Sequence, residues 1–243
     1  MKTVAIIQAR MGSTRLPGKV LMKLQDKTVL EHVIERVKQA RLIDEIVVAT
    51  TTLSEDDVLY EEAMRYGVRV YRGSSDNVLS RYYEAAREVK ADVVIRITSD
   101  CPLIDPAIID QMVEKYHYNQ YEMVTNSGPI SSKRTFPRGL DVEIFSVEML
   151  NDAFYNYSEK YHMEHVTPYM YEKSQNIYHY ICHEDYSNYR LTLDTEEDLE
   201  LITLIYKKLY DRNHSFYLSD ILNFLNNNPN LININAHIEQ KKY

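Results

Sequence analysis

Three cations follow the first apolar run of the chain within one short loop. Residues 4–7 are continuously apolar, and Arg10, Arg15 and Lys19 come after them, with glycines at positions 12 and 18. Glycine allows close backbone approach, and a loop leaving a strand can direct successive N–H groups at an anion. Because the chain is acidic overall, with a formal net charge of -8, these cations predict a local site for a phosphate-bearing ligand.

The opening loop differs from the two familiar phosphate-binding loops, since neither G-x-x-x-x-G-K-[ST] nor G-x-G-x-x-G fits it. Its glycines and cations nevertheless predict a cradle for phosphate oxygens. The alternative is a solvated loop whose basic side chains only face water. The residues that we assign to the cradle are Ala9, Arg10, Gly12, Ser13, Arg15 and Lys19.

Two aspartates stand at the ends of apolar segments that are far apart in the sequence. Asp100 follows the apolar run at 91–97, and Asp194 ends the run at 189–194. A carboxylate beside a polyphosphate requires a cation between them, and Mg²⁺ is commonly held by one or two carboxylates plus substrate phosphates. The pair therefore predicts a Mg²⁺ site, against the alternative that each aspartate is only a turn residue before a helix cap.

Two weaker motifs concern the substrate. Ser74 and Asp76, in the stretch RGSSDN, are candidates for contact with a base or ribose, or for capping the helix predicted over 75–89. Arg138, beside a loop at 128–139 that we expect to be mobile, is a candidate for bidentate pairing with a substrate carboxylate.

Three other side chains that could react are not assigned to catalysis or to a metal site. His162 and His165 lie three residues apart on a predicted helix, which indicates a sugar contact or a buried hydrogen bond rather than zinc. Cys101 adjoins Asp100 but has no triad partner visible in the sequence, so we expect a small buried thiol.

The elements that must position these residues alternate in the first half of the chain. Strands are predicted over 3–8, 45–51, 68–71 and 91–98, and helices over 28–41, 54–67, 75–89 and 105–118. Continuous apolar strands alternating with helices predict an α/β fold, with a mostly parallel sheet covered by helices on both faces. Ligands bind such sheets at the carboxyl ends of the strands, so the opening loop and Asp100 should meet at one edge.

The second half mixes shorter elements. Strands are predicted over 139–145, 176–183 and 189–194, and helices over 146–157, 158–174 with a break near Pro168, and 195–210. The last of these helices opens with the capping pattern Thr-x-x-Asp at Thr195. The Asn-rich end is expected to dock on the rest of the protein.

Composition excludes several classes of protein. A net charge of -8 argues against a broad nucleic-acid-binding face, and no apolar run approaches the length of a membrane span. Two cysteines do not make a disulfide framework, and the first apolar run, which follows a single lysine, is too short for a signal peptide. We therefore expect a cytoplasmic protein of one domain over 1–243, with no nucleic-acid or membrane partner.

Several motifs together resemble one enzyme family. The stretches QARMGSTRLPGK, SDCPL and LTLDTEEDLE are similar to those of the sugar-acid cytidylyltransferases, which make CMP-activated sugar acids. RGSSDNVLSRYYEAA, RGLDVEIFSVEML and EHVTPYM resemble the spore coat polysaccharide biosynthesis branch of that family. The resemblance implies a GT-A-like nucleotidyltransferase fold and a Mg²⁺-dependent transfer of CMP from CTP to a sugar acid, with release of pyrophosphate.

The resemblance also implies roles for individual residues. Arg10, Ser13, Arg15 and Lys19 would hold the triphosphate; Arg10, Lys19 and Asp100 would be catalytic; Asp100 and Asp194 would bind the metal. Gln8 stands where proline is common in the family, and Thr98-Ser99 replaces Gln-Gly. The residues that grip the sugar acid in characterised members have no recognisable equivalents, which leaves the acceptor open.

The chain divides, on this interpretation, into a nucleotide-binding half at 1–127, an acceptor-binding half at 128–215 with elements for a possible homodimer, and a docked tail at 216–243. Two alternatives stay open. One is a glycosyltransferase of the same fold that uses a nucleotide sugar, although the chain lacks an Asp-x-Asp motif at a strand end. The other is a non-catalytic nucleotide-binding relative.

Overall fold

The computed structural model describes residues 1–129 and 133–239, which alternate between strands and helices. The strands are β1 (Thr3–Gln8), β2 (Lys23–Leu24), β3 (Lys27–Thr28), β4 (Glu45–Thr51), β5 (Arg69–Gly73), β6 (Val93–Thr98), β7 (Met123–Thr125), β8 (Glu143–Ser146) and β9 (Ile177–His179). The helices are α1 (Val29–Val37), α2 (Asp57–Arg65), α3 (Val78–Glu88), α4 (Pro106–His117), α5 (Val147–Asn156), α6 (Lys160–His165), α7 (Pro168–Lys173), α8 (Glu196–Leu209) and α9 (Leu218–Asn227). Short 3₁₀ helices lie at Lys19–Leu21, Ser54–Asp56 and Pro229–Ile234.

Seven strands form one sheet in the order β5-β4-β1-β6-β8-β7-β9. The neighbours β5, β4, β1 and β6 are parallel, and so are β7 and β9, whereas β8 runs antiparallel to both β6 and β7. The prediction of a mostly parallel sheet is confirmed. β2 and β3 form a separate small hairpin beside the opening loop.

Apolar side chains on both faces of the sheet bury two cores. In β1, Ala5 and Ile7 join the core beneath α1, α4 and α8, while Val4 and Ile6 join the core beneath α3 and α5. Successive side chains of a strand point to opposite faces, so a strand that is apolar at every position requires cover on both. The predicted placement of helices on both faces is therefore confirmed.

Capping residues set several helix boundaries. Thr195 and Asp198 form the predicted capping box of α8, and Asp105 caps α4 by accepting from the Ala107 N–H at 2.8 Å. The predicted start of a helix at Ser54 is wrong, because a 3₁₀ turn over Ser54–Asp56 precedes α2, which begins at Asp57. Such single 3₁₀ turns are frequent at the N-termini of α-helices.

The strand predicted over 189–194 is not part of the sheet. Arg190 makes an isolated bridge to Arg138, the Leu191 N–H donates to the Arg138 carbonyl at 2.7 Å, and the Leu193 N–H donates to the Asp100 carbonyl at 2.8 Å. Two different loops thus satisfy alternate N–H groups of this segment, so no continuous ladder forms. The strands predicted over 139–145 and 176–183 are likewise shorter, and become β8 and β9.

The last described elements, α9 and the 3₁₀ helix that follows it, pack on α8. Leu218, Ile221 and Leu225 of α9 are buried, and so is Asn235 after the last 3₁₀ helix. Of the loop expected to be mobile at 128–139, residues 130–132 lie outside the described residues, while Arg134 and Phe136 are buried. Within the described ranges, no helix is both long enough and apolar enough to cross a membrane.

Candidate active site

The opening loop and the Asp100 loop leave the sheet side by side. Gln8 at the end of β1 is in register with Thr98 at the end of β6, and the Ser99 N–H donates to the Gln8 carbonyl at 3.0 Å. The carboxyl ends of these adjacent parallel strands therefore place the basic loop and the first aspartate at one edge, as the sequence predicts.

Lys19 lies at the centre of this edge. Gly18, with φ 69, turns the chain into the 3₁₀ helix that begins at Lys19, a backbone conformation that favours glycine. The Lys19 ammonium donates to Asp100 Oδ2 and Asp194 Oδ1, each at 2.7 Å, and to the Leu193 carbonyl at 2.8 Å. One buried cation thus joins two carboxylates from segments that are remote in sequence.

Asp194 reaches Lys19 because the backbone of its segment packs closely on the chain around Gly139. Gly139 has φ 97, and a Cβ there would stand 2.4 Å from the backbone of Leu191, so only glycine fits without displacement. Arg15 and Arg190 both contact the second oxygen of Asp194, at 2.8 and 3.0 Å. The carboxylate is therefore fixed from three sides.

Asp198 and Asn235 hold Arg190 in turn. Asp198 is buried and accepts from Arg190 through both carboxylate oxygens at 2.9 Å. Asn235 donates to Asp198 Oδ1 at 2.8 Å and to the Arg190 carbonyl at 2.9 Å. The C-terminal segment thereby supports the orientation of Asp194.

The contacts between Lys19 and the two aspartates favour the charged forms of Lys19 and Asp100. Burial lowers the pKa of the Lys19 ammonium, but Asp100 and Asp194 raise it more, so its pKa lies above the ordinary value of 10.5. Burial raises the pKa of Asp100, but Lys19 and the Thr98 hydroxyl lower it more, to about 2. Lysine and aspartate therefore form an ion pair throughout the neutral range.

The two aspartates fit a Mg²⁺ ion. They supply carboxylate oxygens that already contact a single cationic group, and Mg²⁺ usually completes its ligands with substrate phosphates and water. Among residues 1–129 and 133–239, no cluster of three or more histidine, cysteine or acidic side chains could hold a metal unaided. A metal ion at Asp100 and Asp194 would need further ligands from a substrate or from water.

A cavity of about 330 Å³ opens above this centre, within the range of small-molecule sites. Its described lining includes seven arginine or lysine side chains against five carboxylates, so the cavity is cationic although the chain is acidic. The predicted residues that line it are Ala9, Arg10, Gly12, Ser13, Arg15, Lys19, Asp100, Arg138 and Asp194.

Ser74 and Asp76 do not line this cavity. Both are exposed, and the Ser74 hydroxyl accepts from the N–H groups of Asp76 and Asn77 at 3.2 and 3.1 Å. The cap of α3 is Asn77, whose side chain accepts from the Ser80 N–H at 2.9 Å. The polar residues of this turn thus satisfy their own backbone, and contact of Ser74 or Asp76 with a base or ribose stays a prediction.

The other end of the cavity carries a second set of charges. Glu143 of β8 is buried and accepts from Arg96 at 2.5 Å, from Thr167 at 3.0 Å and from Tyr171 at 2.6 Å. Arg134 pairs with Asp141 at 2.5 Å. Sequence reasoning missed Arg96, Arg134 and Thr167, although an arginine within the apolar run VVIRIT is a visible signal of a polar site facing one side of β6.

A strained turn aims two lining residues at this end. Val166 has φ 69 and ψ -55, and the Thr167 N–H donates to the His165 carbonyl at 2.8 Å, which together define a γ-turn. A β-branched residue in this conformation is rare and strained, and such strain is concentrated at functional sites. Both flanking residues, His165 and Thr167, line the cavity, whereas His162 is buried against Glu172 at 3.1 Å.

Cys101 is the small buried thiol that the sequence predicts. Its side chain is almost fully buried, and it lies 3.2 Å from the Thr98 hydroxyl. Burial, together with the charge of Asp100, raises the pKa of the Cys101 thiol well above the ordinary value of 9.0. A thiol in this state is a poor nucleophile.

The chain has close relatives over its whole length. A family model described as cytidylyltransferase matches residues 4–229. An uncharacterized protein of Methanocaldococcus jannaschii is 40% identical over 248 residues, covering 100% of this chain and 98% of that protein. Spore coat polysaccharide biosynthesis protein SpsF of Bacillus subtilis is 34% identical over 231 residues, covering 92% of this chain and 94% of that protein.

Two further comparisons point the same way. A 3-deoxy-manno-octulosonate cytidylyltransferase of Geobacter sulfurreducens is 39% identical over 115 residues, covering 46% of this chain and 44% of that protein. The structure of a cytidylyltransferase from Leptospira borgpetersenii superposes with a TM-score of 0.89 at 38% identity, covering 100% of this chain and 99% of that one. The protein therefore belongs to the cytidylyltransferase family and has the nucleotidyltransferase fold of its relatives.

Proposed function

We propose that this protein transfers CMP from CTP to a sugar acid of the 3-deoxy-2-ulosonic type and releases pyrophosphate, in the synthesis of a surface polysaccharide. The observation that carries the proposal is the contact of Lys19 with Asp100 and Asp194, at the floor of a cationic cavity. A lysine and two carboxylates at one strand edge suit a substrate that arrives as a metal triphosphate.

The opening loop would bind the triphosphate. Arg10 and Arg15 are exposed at the cavity wall and Lys19 lies at its floor, so their charges surround a ligand placed between them. As the acceptor hydroxyl forms a bond to the α-phosphorus, the bond to the α–β bridging oxygen breaks and pyrophosphate leaves. These fixed cations stabilise the charge that grows on the leaving group, without reorganisation during the reaction.

Mg²⁺ is the cofactor that we propose for Asp100 and Asp194. When bound, the ion supplies positive charge to the phosphate oxygens and lowers the pKa of the acceptor hydroxyl. Thr98 donates to Asp100 Oδ1 at 2.6 Å, and Arg190 holds Asp194, so this chain keeps both carboxylates oriented.

The acceptor would occupy the end of the cavity built by the second half of the chain. Arg134, Arg138, Glu164 and Thr167 of that half line this end, together with Arg96 of β6 from the first half. Arginines in such a position suit the carboxylate of a sugar acid, and the hydroxyl and carboxylate groups suit its hydroxyls. This arrangement supports the division into a nucleotide-binding half at 1–127 and an acceptor-binding half at 128–215.

The glycosyltransferase alternative receives less support. Its usual metal motif would have to come from the acidic stretch at 55–57, yet Asp56 there is buried and accepts from the Met11 N–H at 2.7 Å. The candidate metal ligands come instead from two separate segments, at Asp100 and Asp194.

A pyrophosphate-release screen tests the proposal. Four nucleoside triphosphates are combined with a panel of 3-deoxy-2-ulosonic acids, with and without Mg²⁺, and controls lack the acceptor. We expect pyrophosphate only with CTP, one or more of the acids, and Mg²⁺. Hydrolysis of a nucleotide sugar without pyrophosphate, or tight CTP binding with no turnover on any acid, contradicts the proposal.

A further inference from the structure

The backbone of Met11 closes the opening loop on itself. Its carbonyl accepts from the Ser13 N–H at 2.8 Å and from the Gly18 N–H at 3.2 Å. Among the described residues 8–15, Met11 alone does not line the cavity. This residue therefore lies on the protein side of the phosphate cradle and joins the first part of the loop to its last part.

The carboxylate of Asp56 holds the N–H of this residue from below. Asp56 is fully buried, its Oδ1 accepts from the Met11 N–H at 2.7 Å, and its Oδ2 accepts from the Thr51 hydroxyl. Hydrogen bonds from a backbone N–H to a carboxylate are among the stronger ones in proteins. The peptide groups of Met11 are thereby fixed on both sides, by Asp56 at the N–H and by the cradle at the carbonyl.

Asp56 has the position of a helix cap but does not act as one. It is the N-cap residue of α2, where an aspartate normally accepts from the N–H of the second or third helical residue. Within the described part of the chain, its side chain makes no cap hydrogen bond, and its oxygens contact Met11 and Thr51 instead. A buried carboxylate is unfavourable unless hydrogen bonds compensate for lost water. Helix capping therefore does not account for this aspartate, whereas its contact with the opening loop does.

The segment that carries this aspartate is itself held in place. Arg72 of β5 donates to the Thr51 carbonyl at 2.8 Å and to the Leu53 carbonyl at 2.9 Å. On the side of the loop, a Cβ at Gly12 would stand 3.2 Å from Glu55 Oε1, so the two segments pack closely. The hydrogen bond between them is thus set by contacts on both sides.

We propose that Asp56 is a positioning residue for the phosphate cradle: by fixing the Met11 N–H, it holds the opening loop in the arrangement that receives a triphosphate. Asp56 acts through Met11, because it is not among the described residues that line the cavity. The inference rests on the proposed function and deepens it, since it names what keeps the cradle formed before the ligand binds. Preorganised charges need no rearrangement when a ligand arrives, and a small displacement of a binding group weakens its effect by about a hundredfold.

The test uses inorganic tripolyphosphate as the probe and measures its affinity by calorimetry in the presence of Mg²⁺. Asp56→Ser keeps a residue that is favoured at a helix N-cap, but its single and shorter side-chain oxygen cannot serve both partners. Asp56→Asn loses the charge but keeps an acceptor for the Met11 N–H, while its amide can donate to the Thr51 hydroxyl. Glu61→Gln is the matched control, because it removes one negative charge from an exposed position of α2.

Wild type, Glu61→Gln and Asp56→Asn should bind tripolyphosphate with similar affinity, whereas Asp56→Ser should bind it about tenfold to hundredfold more weakly. A purely structural role would lower Tm without changing the affinity of the folded protein, so binding is measured well below the Tm of each variant. Hydrogen exchange gives a second readout. The Met11 amide should exchange faster in Asp56→Ser, while the Ala9 amide, which donates to the Ala49 carbonyl at 3.1 Å, should not change.

Unchanged tripolyphosphate affinity in Asp56→Ser overturns the inference, because the loop then does not need the contact. An equal loss in Asp56→Asn also overturns it, because the charge rather than the hydrogen bond would then matter. Exchange in wild type does not depend on the folding of any variant, and a Met11 amide that exchanges as fast as in an unstructured peptide has the same consequence. If wild type binds no tripolyphosphate at all, the proposed function itself fails.

Discussion

Replacement of Lys19 by methionine tests the centre without a large change of side-chain volume. Lys19 is 8% exposed and contacts two carboxylates at 2.7 Å, so Lys19→Met leaves the half-buried Asp100 and the buried Asp194 without their shared cation, while Asp194 keeps its two arginine contacts. Removing one partner of a buried ion pair costs about 3–5 kcal/mol. For a chain of this size each kcal/mol lowers Tm by roughly 2–4 °C, so the expected fall is about 6–20 °C.

Thermal unfolding followed by circular dichroism measures this effect, with Lys207→Met on the exposed face of α8 as the matched control. Added Mg²⁺ should recover part of the lost Tm in Lys19→Met, because a cation that binds only the folded state stabilises it. The double variant Lys19→Met/Asp194→Asn should lose this recovery. A Tm equal to that of the control variant, or the same Mg²⁺ response in the double variant, refutes the assignment of a shared cation site.

Three further predictions follow from other contacts. Gly139→Ala should lower Tm and abolish pyrophosphate release, since its Cβ would stand 2.4 Å from backbone atoms of the Asp194 segment; an unaltered melt contradicts this. Asn235→Ala removes hydrogen bonds of 2.8 and 2.9 Å and should cost about 1–3 kcal/mol in urea unfolding, against no change for an exposed asparagine. Burial lowers the pKa of His32 to about 4 and of His214 to about 3, so as the pH falls the unfolded chain takes up protons on these histidines before the folded chain does. The free energy of unfolding should therefore be highest above about pH 6.5 and decrease as the pH falls towards those values. Urea unfolding measures this, and an unchanged free energy of unfolding between about pH 7 and 5 contradicts the prediction.

The position of the first aspartate was predictable from local pattern. Residues 4–7 and 91–97 are apolar at nearly every position, which predicts buried parallel strands, and parallel strands bring the loops after them to one edge. The observed register of Gln8 with Thr98 follows that reasoning. The predicted caps at Asp105 and Thr195 depend on similarly local chemistry and are also confirmed.

Other features depend on long-range contacts that periodicity does not record. The segment before Asp194 reads as a strand, but Arg138 and Asp100 satisfy its backbone from outside the sheet. The ion pairs of Lys19 form because the fold brings its ammonium and the carboxylates of Asp100 and Asp194 to one edge of the sheet. The γ-turn at Val166 could not be predicted, because valine is unfavourable at positive φ and only tertiary packing maintains it.

The central claim is that Asp100 and Asp194 act as one Mg²⁺-dependent centre for CTP. The most direct test is the rate of pyrophosphate release from CTP, titrated with Mg²⁺, in Asp100→Asn, Asp194→Asn and the exposed control Asp211→Asn. The account predicts loss of Mg²⁺-dependent release in the first two variants and wild-type behaviour in the control, with all three folded by circular dichroism. Retained Mg²⁺-dependent turnover in either Asp100→Asn or Asp194→Asn would contradict it.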